Sequence, residues 1–512
     1  MRKTLALALA VSTLTAATTV GMSQAATAST AKKTSRSTTA STVHWRKCPP
    51  DLGTPIFPLP PTLQCATLKV PLDYRHPNGR KIDLAISRLP STTPSKRRGV
   101  LLVNPGGPAP GLNYPAMLTN PLIGLPKNVR EDYDLIGFDP RGIGHSTPVT
   151  CDLTAEQQRY GNVPPYAHNV ADVAQHAKDT KQIAKQCATS KTAWMLPYVN
   201  AANVARDMDQ IRIALGEPRI SYYGASWGTY LGAVYTTLFP QRSDRIVLDS
   251  NLGPDGWDYQ NDIRFAQGFA DRFPDFATYA AANDREYGLG HTPAQVRAKY
   301  FELAARLDKH PIQGADVRYT GTMFRLITYT QLYSYHQMPT LAKIWRALDK
   351  GQEPPPLPTG GGDAAAKADN LISGRYYMIC SNAGWPRSVQ TYQRHVAIER
   401  VRHPMFGAAG ANIQPCAFWP KPIEPPVHIG HRGPSNVLMV QNLRDPATPL
   451  SGARQLRRAF GDRARMVTVD QGGHGVYLEN PNECANHAVT SFLTTGKRPA
   501  HDYTCTAAAA PH

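Results

Sequence analysis

SYYGASWGTYLG, residues 221–232, sets a serine between two glycines at the point where a strand gives way to a helix. RISYYG (219–224) is a short β-branched and aromatic run with the composition of a strand. SWGTYLGAVYTTLF (226–239) reads as a helix, and Pro240 ends it. Gly224-Ala225-Ser226-Trp227-Gly228 is therefore a GxSxG turn in the strand–turn–helix context that a nucleophile elbow requires. Such a turn is tight and strained, and it lifts the Ser226 hydroxyl above the sheet. A side chain at either flanking glycine would strike the neighbouring strand or helix. The helix that follows aims the positive end of its dipole at the site, which favours developing negative charge.

The same pattern extends outward in both directions. QCATLKVPLDY (64–74) and KIDLAISRL (81–89) predict a β-hairpin, with Asn78-Gly79 as the turn signal. GVLLVNPGG (99–107) and YDLIGFDPRGIG (133–144) are continuous apolar runs ending in glycines, as expected of strands buried on both faces. Val204, Met208, Ile211 and Leu215 step by four, three and four, so 201–216 predicts a helix, stopped by Gly216 and Pro218. RIVLDS (245–250) is the next strand. From 253 to 432 the text turns helical and irregular, with a Pro/Gly-rich linker at 354–367. Alternation resumes at SNVLMVQNLRDPATP (435–449), a helix near 451–460, a last strand in ARMVTVDQGGHG (464–475) and a last helix after Pro481. The expected architecture is one mostly parallel, doubly wound α/β sheet, in two parts (45–252 and 433–512), carrying a largely helical cap over 253–432. Right-handed crossovers then place the loops after the strands along one edge, where α/β active sites lie.

A serine at its free pKa is a poor nucleophile, so it needs a base, and the base needs an orienting carboxylate. In this topology the chain order is serine, acid, histidine. Asp445 (in NLRDPATP) and His474 (in DQGGHGVY) satisfy that order, each directly after a predicted strand. Asp462 and Asp470 are weaker orienting candidates, and Asp249, ending the strand after the nucleophile helix, is the rival. The oxyanion needs backbone donors; the expected ones are Trp227 N–H and an amide of Asn104-Pro105-Gly106-Gly107, with Gly107 favoured over Gly106. Activity is expected to fall below about pH 6, where an ordinary imidazole protonates.

The N-terminus predicts export. Arg2 and Lys3, an apolar stretch from Leu5 to Val20 and then Ala26-Thr27-Ala28 form the layout of a signal peptide over 1–28. The Ser/Thr-rich 29–44 reads as a disordered leader or pro-segment. No later run approaches membrane-spanning length, so the mature chain is expected free of the membrane. Eight cysteines with no CxxC pair disfavour zinc and thioredoxin-like chemistry and suit disulfides. Sequential pairing is expected: 48–65, 151–187, 380–416 and 484–505. The net charge of +18 is scattered without a basic helix or basic-aromatic ladder, so nucleic acid is not an expected partner. No metal or organic cofactor is implied.

VNPGGP, DLIGFDPRGIGHS, ARDMDQIRIALGE, ISYYGASWGTYLGAVYTTLFP, the DPATP aspartate and the GGHG histidine together resemble the secreted tripeptidyl aminopeptidases of actinobacteria. These belong to the prolyl-aminopeptidase-like branch of the α/β-hydrolases. The resemblance covers about residues 45–505. It implies an α/β-hydrolase fold and a triad on Ser226, Asp445 and His474. It places the oxyanion loop on Gly106 and Gly107. The implied activity is release of short peptides, tripeptides above all, from the free N-termini of peptides or proteins, by a secreted, monomeric enzyme. The sequence departs from that pattern at Ala109-Pro110-Gly111, where more glycines are common. Cys380-Ser381-Asn382 stands where Cys-Asn-Asp is expected, and Trp227 where tyrosine is common. Aminopeptidase action needs cap acids to hold an ammonium group, and Asp255, Asp258, Asp262, Asp271 and Glu286 are candidates without a choice among them. The competing readings are an esterase or amidase on the same triad, a prolyl-type aminopeptidase, and a non-catalytic exported binding protein.

Overall fold

The computed structural model describes residues 43–54, 57–315, 317–355, 364–382, 384–479 and 482–507. The expected signal peptide, most of the expected leader and the middle of the expected linker lie outside the described residues. These described residues belong to one compact unit.

The strands are β1 Arg46–Lys47, β2 Gln64–Pro71, β3 Lys81–Leu89, β4 Gly99–Asn104, β5 Tyr133–Phe138, β6 Ile220–Ala225 and β7 Ser243–Asp249. A small separate hairpin, β8 Ile312–Gln313 and β9 Arg318–Tyr319, precedes β10 Val437–Arg444, β11 Ala464–Gly472 and β12 Tyr503–Cys505. Ten of them form one sheet in the order β1-β2-β3-β5-β4-β6-β7-β10-β11-β12. The first three pairings are antiparallel, and every pairing from β5 onward is parallel.

Both faces of the sheet are covered, which is why its strands read as unbroken apolar runs. Val100, Leu102, Ile136, Tyr222, Ile246, Leu248, Val437 and Met439 belong to the core on one face. Their chain neighbours Leu101, Val103, Leu135, Tyr223, Val247, Leu438 and Val440 belong to the core on the other. The period of two along each strand thus feeds two cores. Each such side chain contributes about 1.5–3 kcal/mol when fully buried. The helix Trp227–Leu238 is buried along most of its length. Asn200 caps the helix Ala201–Ala214 by accepting from Asn203 N–H.

Because β5 and β6 flank β4 on opposite sides, the winding direction switches at β4. A crevice opens at such a switch beyond the carboxyl ends of the strands. The loop after β4 and the turn after β6 both lie there.

Besides the β8–β9 hairpin, two strands of the large sheet escaped the sequence reading. β11 is not the last strand, since the three-residue β12 pairs with it in parallel. β1 adds two residues to the opposite edge. Both are too short for periodicity to register, and both adjoin disulfides, Cys48–Cys65 and Cys484–Cys505. The other bridges are Cys151–Cys187 and Cys380–Cys416. All four pairings are the sequential ones expected.

Between β7 and β10 the described elements are helices apart from the β8–β9 hairpin. The long helix Tyr259–Ala282 packs Phe269, Phe273 and Phe276 against Tyr300, Trp345 and Phe406. The 151–198 segment also joins this layer. Tyr166 Oη donates to Pro404 O at 3.2 Å, and Asn162 Nδ2 donates to Ile372 O at 3.2 Å. The covering layer is therefore built from two stretches of chain rather than one.

Candidate active site

Ser226 sits at φ 57°, ψ −125°, immediately before the helix Trp227–Leu238. A non-glycine residue there is strained, and such strain persists only where surrounding contacts hold it. Ser226 N–H donates to Asp249 O at 2.9 Å, and Ser226 O accepts from Thr229 N–H at 2.9 Å. The flanking glycines are sterically required. A Cβ on Gly224 would lie 2.4 Å from the Tyr222 ring and 2.6 Å from Gly228 O; one on Gly228 would lie 2.8 Å from Asn104 Oδ1.

Asp445 follows β10, and its carboxylate is wrapped by its own turn. Oδ1 accepts from Ala447 N–H at 2.8 Å and Thr448 N–H at 2.9 Å; Oδ2 accepts from the Thr448 hydroxyl at 2.9 Å. His474 follows β11, and its Nδ1 lies 3.0 Å from both Asp445 oxygens. A carboxylate at that nitrogen assigns the proton to Nδ1 and leaves Nε2 as the acceptor. Asn442 Nδ2 donates to Gly473 O and Gly475 O at 2.9 Å each, clamping the backbone on both sides of the histidine. Burial alone would lower the His474 pKa, but the charge and hydrogen bond of Asp445 outweigh it and raise it above its ordinary value. The acid limb of activity is therefore expected above the ordinary imidazole value of ~6.5 rather than below pH 6.

Asp249, the rival, does not touch the imidazole. It is fully buried and accepts from Val476 N–H at 2.9 Å, Tyr477 N–H at 2.8 Å and Tyr223 Oη at 3.0 Å. Burial pushes its carboxyl up to about 6 against the pull of those donors. It anchors the loop that carries His474. Asp470 pairs with Arg444 at 2.6 Å, and Asp462 pairs with Arg465 at 3.5 Å; neither contacts the histidine.

The two candidate oxyanion glycines differ. Gly106 N–H donates to Asn104 Oδ1 at 2.9 Å, so that amide is already occupied. Its hydrogen in place of a side chain serves approach, since a Cβ there would lie 2.4 Å from Ala225 O and 2.7 Å from Ser226 Cβ. The amides of Gly107 and Trp227 have no hydrogen-bond partner among the described residues. Gly111 and Leu112 N–H donate to Asp139 Oδ1 at 2.7 and 3.0 Å, which ties the far end of this loop to the end of β5.

Ser226, Trp227, Gly106, Gly107, His474 and Thr448 line one cavity of about 310 Å³, together with Trp257, Asn261, Phe265, Tyr333 and Arg375. The Ser226 hydroxyl and the imidazole share that cavity without a hydrogen bond between them, and such contacts are often long before substrate binds. Tyr333 roofs the histidine: its ring packs 5.2 Å from the imidazole and its carbonyl accepts from His474 N–H at 2.7 Å.

None of the five cap acids lines this cavity. Asp255 and Glu286 are exposed, and Asp271 is half-buried. Asp258 caps the helix Tyr259–Ala282. Asp262 is buried behind the wall, where it accepts from Trp257 Nε1 at 2.6 Å and Gln414 Nε2 at 2.7 Å, and burial raises it to about 7. Asn382, where an acid was expected, donates to Trp257 O at 3.1 Å.

Sequence reasoning missed Asn442, Thr448, Tyr333 and Arg375. Thr448 had a signal in the Asp-Pro-Ala-Thr turn, and Arg375 had one as a lone charge in the apolar run 371–380. Asn442 and Tyr333 had none.

Comparison with known proteins is consistent across nearly the whole chain. Residues 403–505 match the TAP-like protein family of α/β-hydrolases. A tripeptidyl aminopeptidase of Streptomyces lividans is 36% identical over 489 residues, covering 92% of this chain and 87% of that one. The serine protease Hip1 of Mycobacterium tuberculosis is 30% identical, covering 90% and 91%. A protein of the same organism named carboxylesterase B is 31% identical, covering 87% and 86%.

Proposed function

This chain belongs to the tripeptidyl aminopeptidase family of α/β-hydrolases and is a serine hydrolase, and on that premise we propose that it releases tripeptides from free peptide N-termini. The observation that carries the site assignment is the His474 Nδ1 contact to both Asp445 oxygens, in the cavity that holds Ser226.

His474 Nε2 takes the proton from Ser226 Oγ as that oxygen attacks the scissile carbonyl carbon. The carbonyl oxygen becomes an oxyanion between the Gly107 and Trp227 amides, each worth about 3–4 kcal/mol to the transition state. Asp445 holds the tautomer and stabilises the imidazolium. The intermediate collapses, the carbon–nitrogen bond breaks, and His474 gives its proton to the leaving amine. Water then attacks the acyl-Ser226 ester by the same route, returning the free serine and the released acid. Asn261, on the cavity wall, is the polar group proposed to meet the substrate ammonium. The four disulfides and the N-terminal sequence support a secreted protein. Among the described residues no helix is long and apolar enough to cross a membrane.

An esterase or amidase is the second reading, favoured by the absence of a carboxylate on the described cavity wall and by the relative named carboxylesterase B. Paired tripeptidyl anilides, free and N-acetylated, decide between them. The aminopeptidase cleaves only the free-amine form. Equal cleavage of both, with faster turnover of short acyl esters, selects the esterase.

A further inference from the structure

The cavity beside Ser226 has one charged side chain among its described lining residues, Arg375. It lies on the helix Ala364–Cys380. That helix is pinned to the loop after β5. Asn370 Nδ2 donates to Gly142 O at 3.0 Å and Val149 O at 2.8 Å, and Asn370 Oδ1 accepts from Gly144 N–H at 2.9 Å. Gly374 permits the close approach, since a Cβ there would lie 2.6 Å from Ile143. The guanidinium is thus held by a fixed element rather than a loose loop.

Arg141 and Arg325, both buried, meet acids, Asp207 at 2.6 Å and Asp308 at 2.9 Å, while buried Arg463 is instead taken up by Pro434 O and Thr236. Arg375 has no ion pair among the described residues. Its Nε donates to Pro108 O at 3.0 Å, and its two Nη groups have no hydrogen-bond partner among the described residues. Burial disfavours its charge, and the ionisable group that opposes this is Tyr333 rather than a carboxylate. A guanidinium stays protonated in proteins, so the cation persists and its planar fork is free. A fork with two open donors matches a carboxylate bidentately.

We propose that Arg375 is a specificity residue that selects substrates bringing a carboxylate into the Ser226 cavity. This rests on the peptidase reading of that site. The carboxylate comes from an acidic side chain close to the scissile bond or from the free C-terminus of a short peptide. Because Nε also holds Pro108 O, the bound anion docks on the group that fixes the loop carrying the Gly107 amide.

The test uses isosteric pairs on the full-length protein. One set is tripeptidyl anilides with Asp or Glu against Asn or Gln at each position. The other is tetra- to hexapeptides ending in a free acid against the amide. The acid member is expected to show kcat/KM about 10-fold or more higher in one set, which names the source. Arg375→Gln should collapse that ratio towards one and Arg375→Lys should retain part of it, mainly through KM. A merely structural role for the Pro108 contact would slow both members of each pair equally and leave the ratio unmoved. Ratios near one in both sets for the unaltered protein overturn the proposal and leave the peptidase reading standing. Should peptides resist cleavage while acyl esters turn over, the peptidase reading fails instead. The p-nitrophenyl monoester of a dicarboxylic acid against its methyl ester then makes the same comparison at Arg375.

Discussion

Ser226 holds a strained backbone so that one hydroxyl stands clear of the sheet, and replacing that hydroxyl isolates its role. Ser226→Ala should lower kcat by about five to six orders of magnitude while circular dichroism and melting temperature stay unchanged. Asp445→Asn should cost about four orders, because the wrong tautomer then faces the serine. Asp249→Asn should behave differently. It leaves the imidazole contact intact but weakens the anchor of 476–477, so melting temperature falls more than kcat does. A loss in Asp249→Asn that matches Asp445→Asn without destabilisation would reverse the two roles. The pH profile follows from the raised His474 pKa. Only neutral imidazole accepts the serine proton, so kcat/KM should fall as pH drops, with its midpoint above ~6.5. At this scale much was legible. A GxSxG turn and an acid and histidine at later strand ends are local patterns, but chain order admits both Asp249 and Asp445, and only the folded contact with His474 separates them. The occupied Gly106 amide was not legible, because Asn104 Oδ1 reaches it only in the folded loop.

The elements that carry these residues were legible wherever both faces of a strand are buried. Continuous apolar runs at 99–107 and 219–224 mark β4 and β6, and the crevice follows from their adjacency. The edge strands β1 and β12 were not legible, because two or three residues carry no period and their pairing depends on disulfides and neighbours. The contribution of 151–198 to the covering layer was hidden for the same reason: helix packing partners are tertiary. One prediction belongs here. Gly106→Ala should reduce both melting temperature and kcat, since the added methyl meets the backbone of the elbow itself and backbone cannot rotate away. Overpacking of this kind costs about 1–3 kcal/mol before the positive φ is counted. Thermal melts beside kcat values check it, and an unchanged kcat would show that the loop moves freely of Ser226.

Across the whole molecule, the four disulfides close loops with separations of 17, 36, 36 and 21 residues, each contributing about 2–4 kcal/mol. The buried Arg141–Asp207 pair, with Tyr74 Oη donating to Asp207 at 2.6 Å, joins β2, the loop after β5 and the helix Ala201–Ala214. Asp207→Asn leaves a buried cation without its partner charge and should cost about 3–5 kcal/mol in urea denaturation. That role for the Asp-Pro-Arg-Gly motif was invisible in sequence, where it marked only a strand end. The proposed chemistry depends on one alcohol, that of Ser226, at the switch point of the sheet. The most direct measurement is reaction with a neutral fluorophosphonate followed by peptide mapping. A single adduct on Ser226, absent from Ser226→Ala and slowed in His474→Ala, is the predicted result. Labelling at another residue, or undiminished labelling of Ser226→Ala, would contradict it.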